Sequence, residues 1–323
     1  MKRAINLKKL SFLIYGLGSS GRSVIKYFKK KNIENFFTWD DNSLIRNKYK
    51  SKKFLNLKSI LEYVDYIILS PGISLKKSKH KRNLIKFKDK IITDIDLLYL
   101  TNTKIKSIVV TGSNGKSTTC KIIFHLLKKN GFKVKLGGNI GTPVLNIKFK
   151  KNIYFVIEAS SFQLSHSKFI HPNYAILLNI TNDHVDWHGS MQAYIESKLK
   201  LFNLQKRIDF AFVNDKFKNI FNNKRYLSKL VASKSGDYLK IKFKIKNDYL
   251  RSSINDENMS YIYSLAKLLK INKKLFIQSM NSFTGLSHRH EIFFKKKNTI
   301  FINDSKATSF QATKIALTNS KNI

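Results

Sequence analysis

The sequence predicts an α/β protein built on parallel sheets. Three observations carry this. Short runs of β-branched and aromatic residues recur along the chain, helical patterns fill most of the gaps, and each run ends at a glycine turn or a polar cluster. Such alternation puts helices on both faces of a parallel sheet and gathers ligands at the carboxyl ends of its strands.

The elements follow in order. Met1 to Lys9 is basic and precedes an apolar stretch, Leu10 to Tyr15. This is too short for a secretory signal and lacks a small-residue cleavage pattern. It reads as a buried strand, followed by the turn Gly16-Leu17-Gly18-Ser19-Ser20-Gly21 and a helix through Ser23 to Lys30. Phe36 to Trp39 ends at Asp40-Asp41, and Tyr66 to Leu69 ends at Ser70-Pro71-Gly72. Ile105 to Val110 runs into a second glycine loop, with helical sequence over Thr118 to Asn130. Tyr154 to Ile157 ends at Glu158, Tyr174 to Leu178 at Asn179, and Phe210 to Val213 at Asn214-Asp215. A helical pattern covers Met191 to Phe202. The lysine-rich stretches Lys76 to Lys90 and Lys216 to Lys246 read as variable surface segments.

Composition narrows the function. At 323 residues and 42% hydrophobic, the chain can build about two domain cores. Cys120 is the single cysteine, which excludes a disulfide framework or multi-cysteine zinc site and suits a cytoplasmic location. No apolar run approaches the ~20 residues of a membrane-spanning helix, so no membrane role is expected. The net charge of +41 invites a nucleic-acid reading. Only eight of the 61 basic residues are arginine, however, and the lysines are spread through the chain among Ile and Asn. Arginine is the residue of bidentate base and phosphate recognition. Biased codon usage explains the mixture, and no nucleic-acid partner is expected.

Two glycine loops bear chemistry. The first fits G-x-G-x-x-G between strand and helix, with Asp40 about 20 residues on, where a ribose contact belongs. It indicates a diphosphate-containing nucleotide without saying which. The second, Thr111-Gly112-Ser113-Asn114-Gly115-Lys116-Ser117-Thr118, is a shortened phosphate loop in which Val110 stands where the generic motif has glycine. Lys116 can reach β/γ-phosphates and Ser117 can offer a hydroxyl to Mg²⁺, so ATP use is expected. Glu158, at a strand end, can hold Mg²⁺ directly or through water. His184 and His188 have the spacing of a zinc-protease helix, but residue 185 is valine and not the required glutamate. His184 is read instead as a ligand or orienter at the phosphate site.

Together, Gly112 to Thr118, Gly137-Gly138-Asn139-Ile140-Gly141, Glu158 to Leu164 and Asn182-Asp183-His184-Val185-Asp186 resemble the Mur ligases. Phe283 to Arg289 and Ile302 to Thr308 are similar to the MurD type within that family. The resemblance implies a Rossmann-like amino-terminal domain over 1–95, a central P-loop ATPase domain over 96–286, and the start of a third Rossmann-like domain over 287–323. It implies an ATP- and Mg²⁺-dependent, ADP-forming ligase that joins D-glutamate to UDP-N-acetylmuramoyl-L-alanine through an acyl phosphate, in peptidoglycan precursor synthesis, as a cytoplasmic monomer. The first loop then binds UDP instead of NAD, with Ser19, Ser20, Asp40, Ser70, Pro71 and Gly72 facing uridine and diphosphate. Asn139 and Gln163 would line the sugar-peptide arm.

The resemblance also implies residue roles. Lys116, His184 and Lys198 are the catalytic set. Ser117 and Glu158 hold one Mg²⁺, His184 helps to hold a second, and Lys198, carbamylated by CO₂, is a further metal ligand. Gly112, Ser113, Asn114, Gly115, Ser117 and Thr118, with Asn255, Asn258, Arg289, Asp304 and Lys306, would hold ATP, and Thr308 the substrate. Ile254 replaces the histidine usual in the adenine segment. The family carries a complete third domain of about 100 or more further residues, whereas this sequence stops at Ile323. That implies a truncated reading frame with little or no ligase activity, and the alternative function is an inactive nucleotide- or UDP-sugar-binding remnant. A sister ligase and an NAD-dependent oxidoreductase are the other readings weighed. The first lacks the two late segments, and the second has no role for a phosphate loop beside Glu158 and His184.

Overall fold

The computed structural model describes residues 5–49, 56–102, 105–148, 152–232, 235–288, 291–297 and 299–305. A four-stranded parallel sheet comes first, from β1 (Phe12–Tyr15), β2 (Phe36–Trp39), β3 (Tyr66–Leu69) and β4 (Ile91–Ile92), in spatial order β2-β1-β3-β4. All four residues of β1 are buried, as expected of a strand covered on both faces. Helices α1 (Ser19–Lys30), α2 (Ser43–Lys48), α3 (Leu57–Tyr63) and α4 (Lys81–Lys86) make the connections. On α1, Val24, Ile25, Tyr27 and Phe28 form the buried stripe.

Helix α5 (Asp94–Thr101) begins one residue, Thr93, after β4 and leads into the second sheet. It is buried from Asp94 to Leu100 and capped by a reciprocal Thr93/Asp96 box. The expected domain boundary at 95/96 therefore falls inside a helix.

The second sheet has six parallel strands in spatial order β10-β9-β8-β5-β7-β6. They are β5 (Lys106–Thr111), β6 (Val134–Gly138), β7 (Tyr154–Glu158), β8 (Tyr174–Leu177), β9 (Phe210–Val213) and β10 (Lys229–Ala232). Central β5 and its neighbours β7 and β8 deliver the phosphate loop, Glu158 and Asn179 to one edge. The helices are α6 (Lys116–Lys129), α7 (Ser161–His166), α8 (Val185–His188), α9 (Met191–Leu199), α10 (Asp215–Asn223), α11 (Ser235–Lys242), α12 (Asp248–Arg251), α13 (Asp256–Leu268) and α14 (Lys273–Asn281). An antiparallel hairpin, β11 (Glu291–Lys296) with β12 (Thr299–Asn303), follows.

One apolar cluster joins the two sheets, running from Phe12 and Phe28 through Ile95 and Leu98 to Val109 and Phe155. A second packs α6 and α13 on the other face of the central sheet. Lys216 to Lys246 is not the surface segment expected. It supplies an edge strand and two helices, and Tyr238, Ile241 and Ile245 are buried in the second cluster. Their i, i+3, i+7 spacing is a helical apolar stripe that the surrounding lysines mask.

Candidate active site

The phosphate loop is built by its backbone. Val110 is buried in β5, so the strand continues where a longer loop would have glycine. Gly115 sits at φ +81°, and a Cβ there would lie 2.7 Å from Oδ1 of Asn258. Glycine is required on both counts. The turn is cross-braced from the next strand end. Asn179 accepts from Ser113 N through its carbonyl (2.9 Å) and from Asn114 N through its side chain (2.8 Å). The Ser113 hydroxyl lies 2.8 Å from that of Tyr194 on α9 and accepts from Thr181 N. Helix α6 starts directly behind the loop, so its amino end faces any bound anion.

The side chains converge from separate strands. Ser117 donates to Glu158 Oε2 at 2.8 Å, and Asn139 donates to Oε1 at 3.0 Å. Glu158 is buried at the end of β7. Lys116 curls back to the carbonyls of Gly112 (2.9 Å) and Ser113 (2.6 Å). Lys198, only 1% exposed, donates to Gly112 O at 2.8 Å, and its nitrogen lies 4.5 Å from the centre of the Tyr194 ring. Burial, and then the nearby Lys116 charge, push its pKa well below the usual lysine range. His184 occupies a left-handed position (φ +52°) just ahead of α8, its ring 4.8 Å from that of Phe162 and its Nδ1 3.3 Å from Asp183.

These residues fit a hard divalent cation in part. Ser117 and Glu158 offer oxygen donors. Lys198 as an amine does not fit beside a cation; as a carbamate it would. Among the described residues, no cluster of three or more His, Cys, Asp or Glu side chains makes a metal cage by itself. His188 is committed elsewhere, with Nε2 3.0 Å from the Ser161 hydroxyl.

The remaining expected residues divide. Asn258 packs on Gly115, and buried Asn255 donates to Tyr249 O at 2.7 Å. Asp304 follows β12, while Arg289, Lys306 and Thr308 lie outside the described residues. In the first sheet, Ser19 and Ser20 open α1. Asp40 accepts from Leu17 N (2.7 Å) and Asn42 N (2.9 Å), and Ser70 donates to Gly16 O (2.6 Å). Both therefore shape the first glycine loop. Pro71 and Gly72 form the adjoining turn, and Gly72 is exposed. Gln163 is buried, with its amide engaged by Ser160 and Asp94.

Sequence reasoning missed several members. Asn179, Tyr194 and Asp94 act through tertiary contacts. Asp41 was seen only as a strand end, yet it accepts from Tyr15 (2.6 Å) and Trp39 (3.3 Å) beside His80. Lys77 and Asp186 pair at 2.9 Å and tie the strand-end loops of the two sheets together.

Residues 110–280 match the family model described as the Mur ligase middle domain. Among curated relatives, the UDP-N-acetylmuramoylalanine–D-glutamate ligase of Wolbachia sp. subsp. Brugia malayi is 34% identical over 98% of this chain and 76% of its own. The enzyme of the same name from Francisella tularensis subsp. mediasiatica is 36% identical over 98% and 73%. This chain thus spans about three quarters of those relatives. The fold matches MurC from Thermotoga maritima with a TM-score of 0.53 at 16% identity, over 96% of this chain and 77% of that one. MurF from the same organism, solved with ADP, matches with the same score and identity over 99% and 77%.

Proposed function

The chain belongs to the Mur ligase family, and from that premise we propose that it joins D-glutamate to UDP-N-acetylmuramoyl-L-alanine with cleavage of ATP to ADP and phosphate. The observation that carries this reading is the braced phosphate loop, with the Ser117–Glu158 pair on one side and buried Lys198 on the other.

A carboxylate is a poor electrophile and must be activated. An oxygen of the L-alanyl carboxylate attacks the γ-phosphorus, the bond to the β-γ bridging oxygen breaks, and ADP leaves with that electron pair. The D-glutamate amine then adds to the acyl phosphate. The tetrahedral intermediate loses phosphate and the nitrogen loses a proton, leaving the amide. The protein contributes position and charge. Backbone amides of the loop and the start of α6 receive the phosphates. Lys116 exchanges its two loop carbonyls for the transferring phosphoryl oxygens. Ser117 and Glu158 would hold one Mg²⁺ and His184 would help to hold a second; the cations would supply charge neutralisation on the nucleotide.

Lys198 completes the set as a carbamate. Its lowered pKa leaves a larger fraction as neutral amine, which adds to the carbon of CO₂ and releases a proton. A cation thereby becomes an oxygen ligand with negative charge. Asn139 orients Glu158, and Ser19, Ser20, Asp40 and the 70–72 turn receive the uridine diphosphate. Asn255, Asn258, Arg289, Asp304 and Lys306 serve ATP, and Thr308 serves the substrate, while Gln163, buried with both ends of its amide engaged, supports the site from behind. We infer a cytoplasmic monomer; no described helix is long and apolar enough to cross a membrane.

The test is ADP release by the full chain. It is expected to require UDP-N-acetylmuramoyl-L-alanine, D-glutamate and Mg²⁺ together. Release independent of D-glutamate would overturn the reading, and nucleotide binding with no release would favour the inactive remnant. For the carbamate, ¹³C-bicarbonate is expected to yield one slowly exchanging carbamate resonance that Lys198→Ala abolishes. Full activity of that variant would sink the assignment.

A further inference from the structure

Helix α5 carries two buried carboxyls that the mechanism does not use. Asp94 is 3% exposed and Asp96 fully buried. Both reach α7, the short helix that follows Glu158. At the start of α7, Asp94 Oδ1 accepts from Gln163 Nε2 at 3.2 Å. Near its end, Asp96 Oδ1 accepts from the Ser167 hydroxyl (2.6 Å), Lys168 N (3.0 Å) and Phe169 N (2.7 Å).

The Asp94 contact and the Ser160 backbone N–H together decide which way an amide points. A Gln side chain has a donor end and an acceptor end. Because Asp94 offers only an oxygen here, the nitrogen of Gln163 faces it. The Gln163 oxygen therefore faces Ser160, where it accepts from both the backbone N–H and the hydroxyl, each at 3.2 Å. Gln163 N donates back to Ser160 Oγ, closing a reciprocal capping box. Ser160 is two residues from Glu158, and between them Ala159 N donates to Val110 O of β5 at 3.0 Å. Asp94 thus stands at the head of a continuous chain of bonds that ends at the segment carrying Glu158.

We propose that Asp94 is a positioning residue for the metal–nucleotide site: by fixing the orientation of Gln163 it holds Ser160 and the Glu158 segment in register with the phosphate loop. The inference rests on the reading of Glu158 and Ser117 as cation ligands. It extends that site into the helix that joins the two sheets. Groups that orient a ligand through one or two bonds commonly change metal affinity when removed.

The test uses the full chain and two variants. Asp94→Asn keeps an oxygen for Gln163 Nε2, whereas Asp94→Leu leaves that donor buried with no acceptor from residue 94. Mn²⁺ binding in the presence of a non-hydrolysable ATP analogue, read by electron paramagnetic resonance, reports the site without turnover. Asp94→Leu is expected to weaken Mn²⁺ binding by roughly tenfold, and Asp94→Asn to restore it to within about twofold. Circular dichroism and thermal midpoints show whether each variant is folded. If Asp94→Leu fails to fold, Asp94→Ser and Asp94→Asn carry the comparison. Wild-type Mn²⁺ affinity in a folded Asp94→Leu or Asp94→Ser variant overturns the inference alone. So does a loss in Asp94→Asn as large as theirs. If the wild-type chain binds no Mn²⁺ with the analogue, the cation-site reading itself falls, and the inference with it.

Discussion

Lys198 holds its side-chain nitrogen out of water with a backbone carbonyl and a tyrosine ring as its neighbours. Such a group costs stability as an ion and can be replaced by an apolar side chain of similar length without unfolding the protein. Lys198→Met is therefore expected to keep or raise the thermal midpoint while removing Mg²⁺-dependent ADP release by at least about 100-fold. A fall in both together would mark a structural lysine. Gly115→Ala tests the loop itself. A left-handed φ costs an alanine about 1–2 kcal/mol, and its methyl group would strike Asn258. Nucleotide affinity, measured by calorimetry, is expected to fall with stability. Lys116, Ser117 and Glu158 were legible because each lies in a local motif at a strand end. Asn179 and Tyr194 were not, because they meet the loop from 65 and 81 residues away. For Lys198 the residue alone was a weak signal, one lysine among many, and only the resemblance picked it out.

At the scale of elements, the parallel strands were readable because buried strands are continuous apolar runs. The edges were harder. The glycine-rich turn at 16–21 looked like loop up to Ser23, yet α1 begins at Ser19, since Gly21 must pack without a side chain against Gly16 O. Helix α11 was hidden by lysine. Its cluster makes a direct prediction: Tyr238→Ala removes a fully buried ring and its bond to Leu250 O, and is expected to cost about 3–5 kcal/mol in denaturant unfolding. Lys240→Ala, on the exposed side of the same helix, should stay within about 0.5 kcal/mol. Equal effects would place the helix wrongly. The Ser160 cap of α7 is expected to contribute about 1 kcal/mol, read from Ser160→Ala.

The whole molecule has its own responses. A net charge of +41 implies strong self-repulsion, so added salt is expected to raise the thermal midpoint as it screens that charge. The Lys77–Asp186 pair is exposed on both sides, and Lys77→Met should barely change stability. Acid acts through buried groups of opposite sign. Burial, then the nearby Lys200 charge, lowers His166 to about 4 from 6.5. The unfolded chain therefore binds that proton first, and His166 subtracts stability progressively as pH falls from about 6.5 to 4. Burial raises Asp94 to about 6 from 3.8. There the folded chain binds the proton first, so a penalty present above pH 6 is relieved as pH falls toward 3.8. The difference in thermal midpoint between His166→Gln and wild type should thus grow on acidification, while that for Asp94→Asn should shrink. Differences that do not vary between pH 7 and 4.5 would overturn both assignments.

Helix α5 also has a consequence for how the protein is made. Asp94 and Asp96 have local donors in Ile95 and Thr93, but their partners on and after α7 are synthesised some 69 to 73 residues later. The strands of the first sheet are complete by Ile92, but the helix that closes it lacks its longer-range partners until Phe169 has been synthesised. Full burial of α5 is therefore expected to follow synthesis of the second sheet's first strands and α7. A nascent chain arrested between 102 and 160 holds these two acidic side chains with their local donors alone, Ile95 N for Asp94 and Thr93 for Asp96.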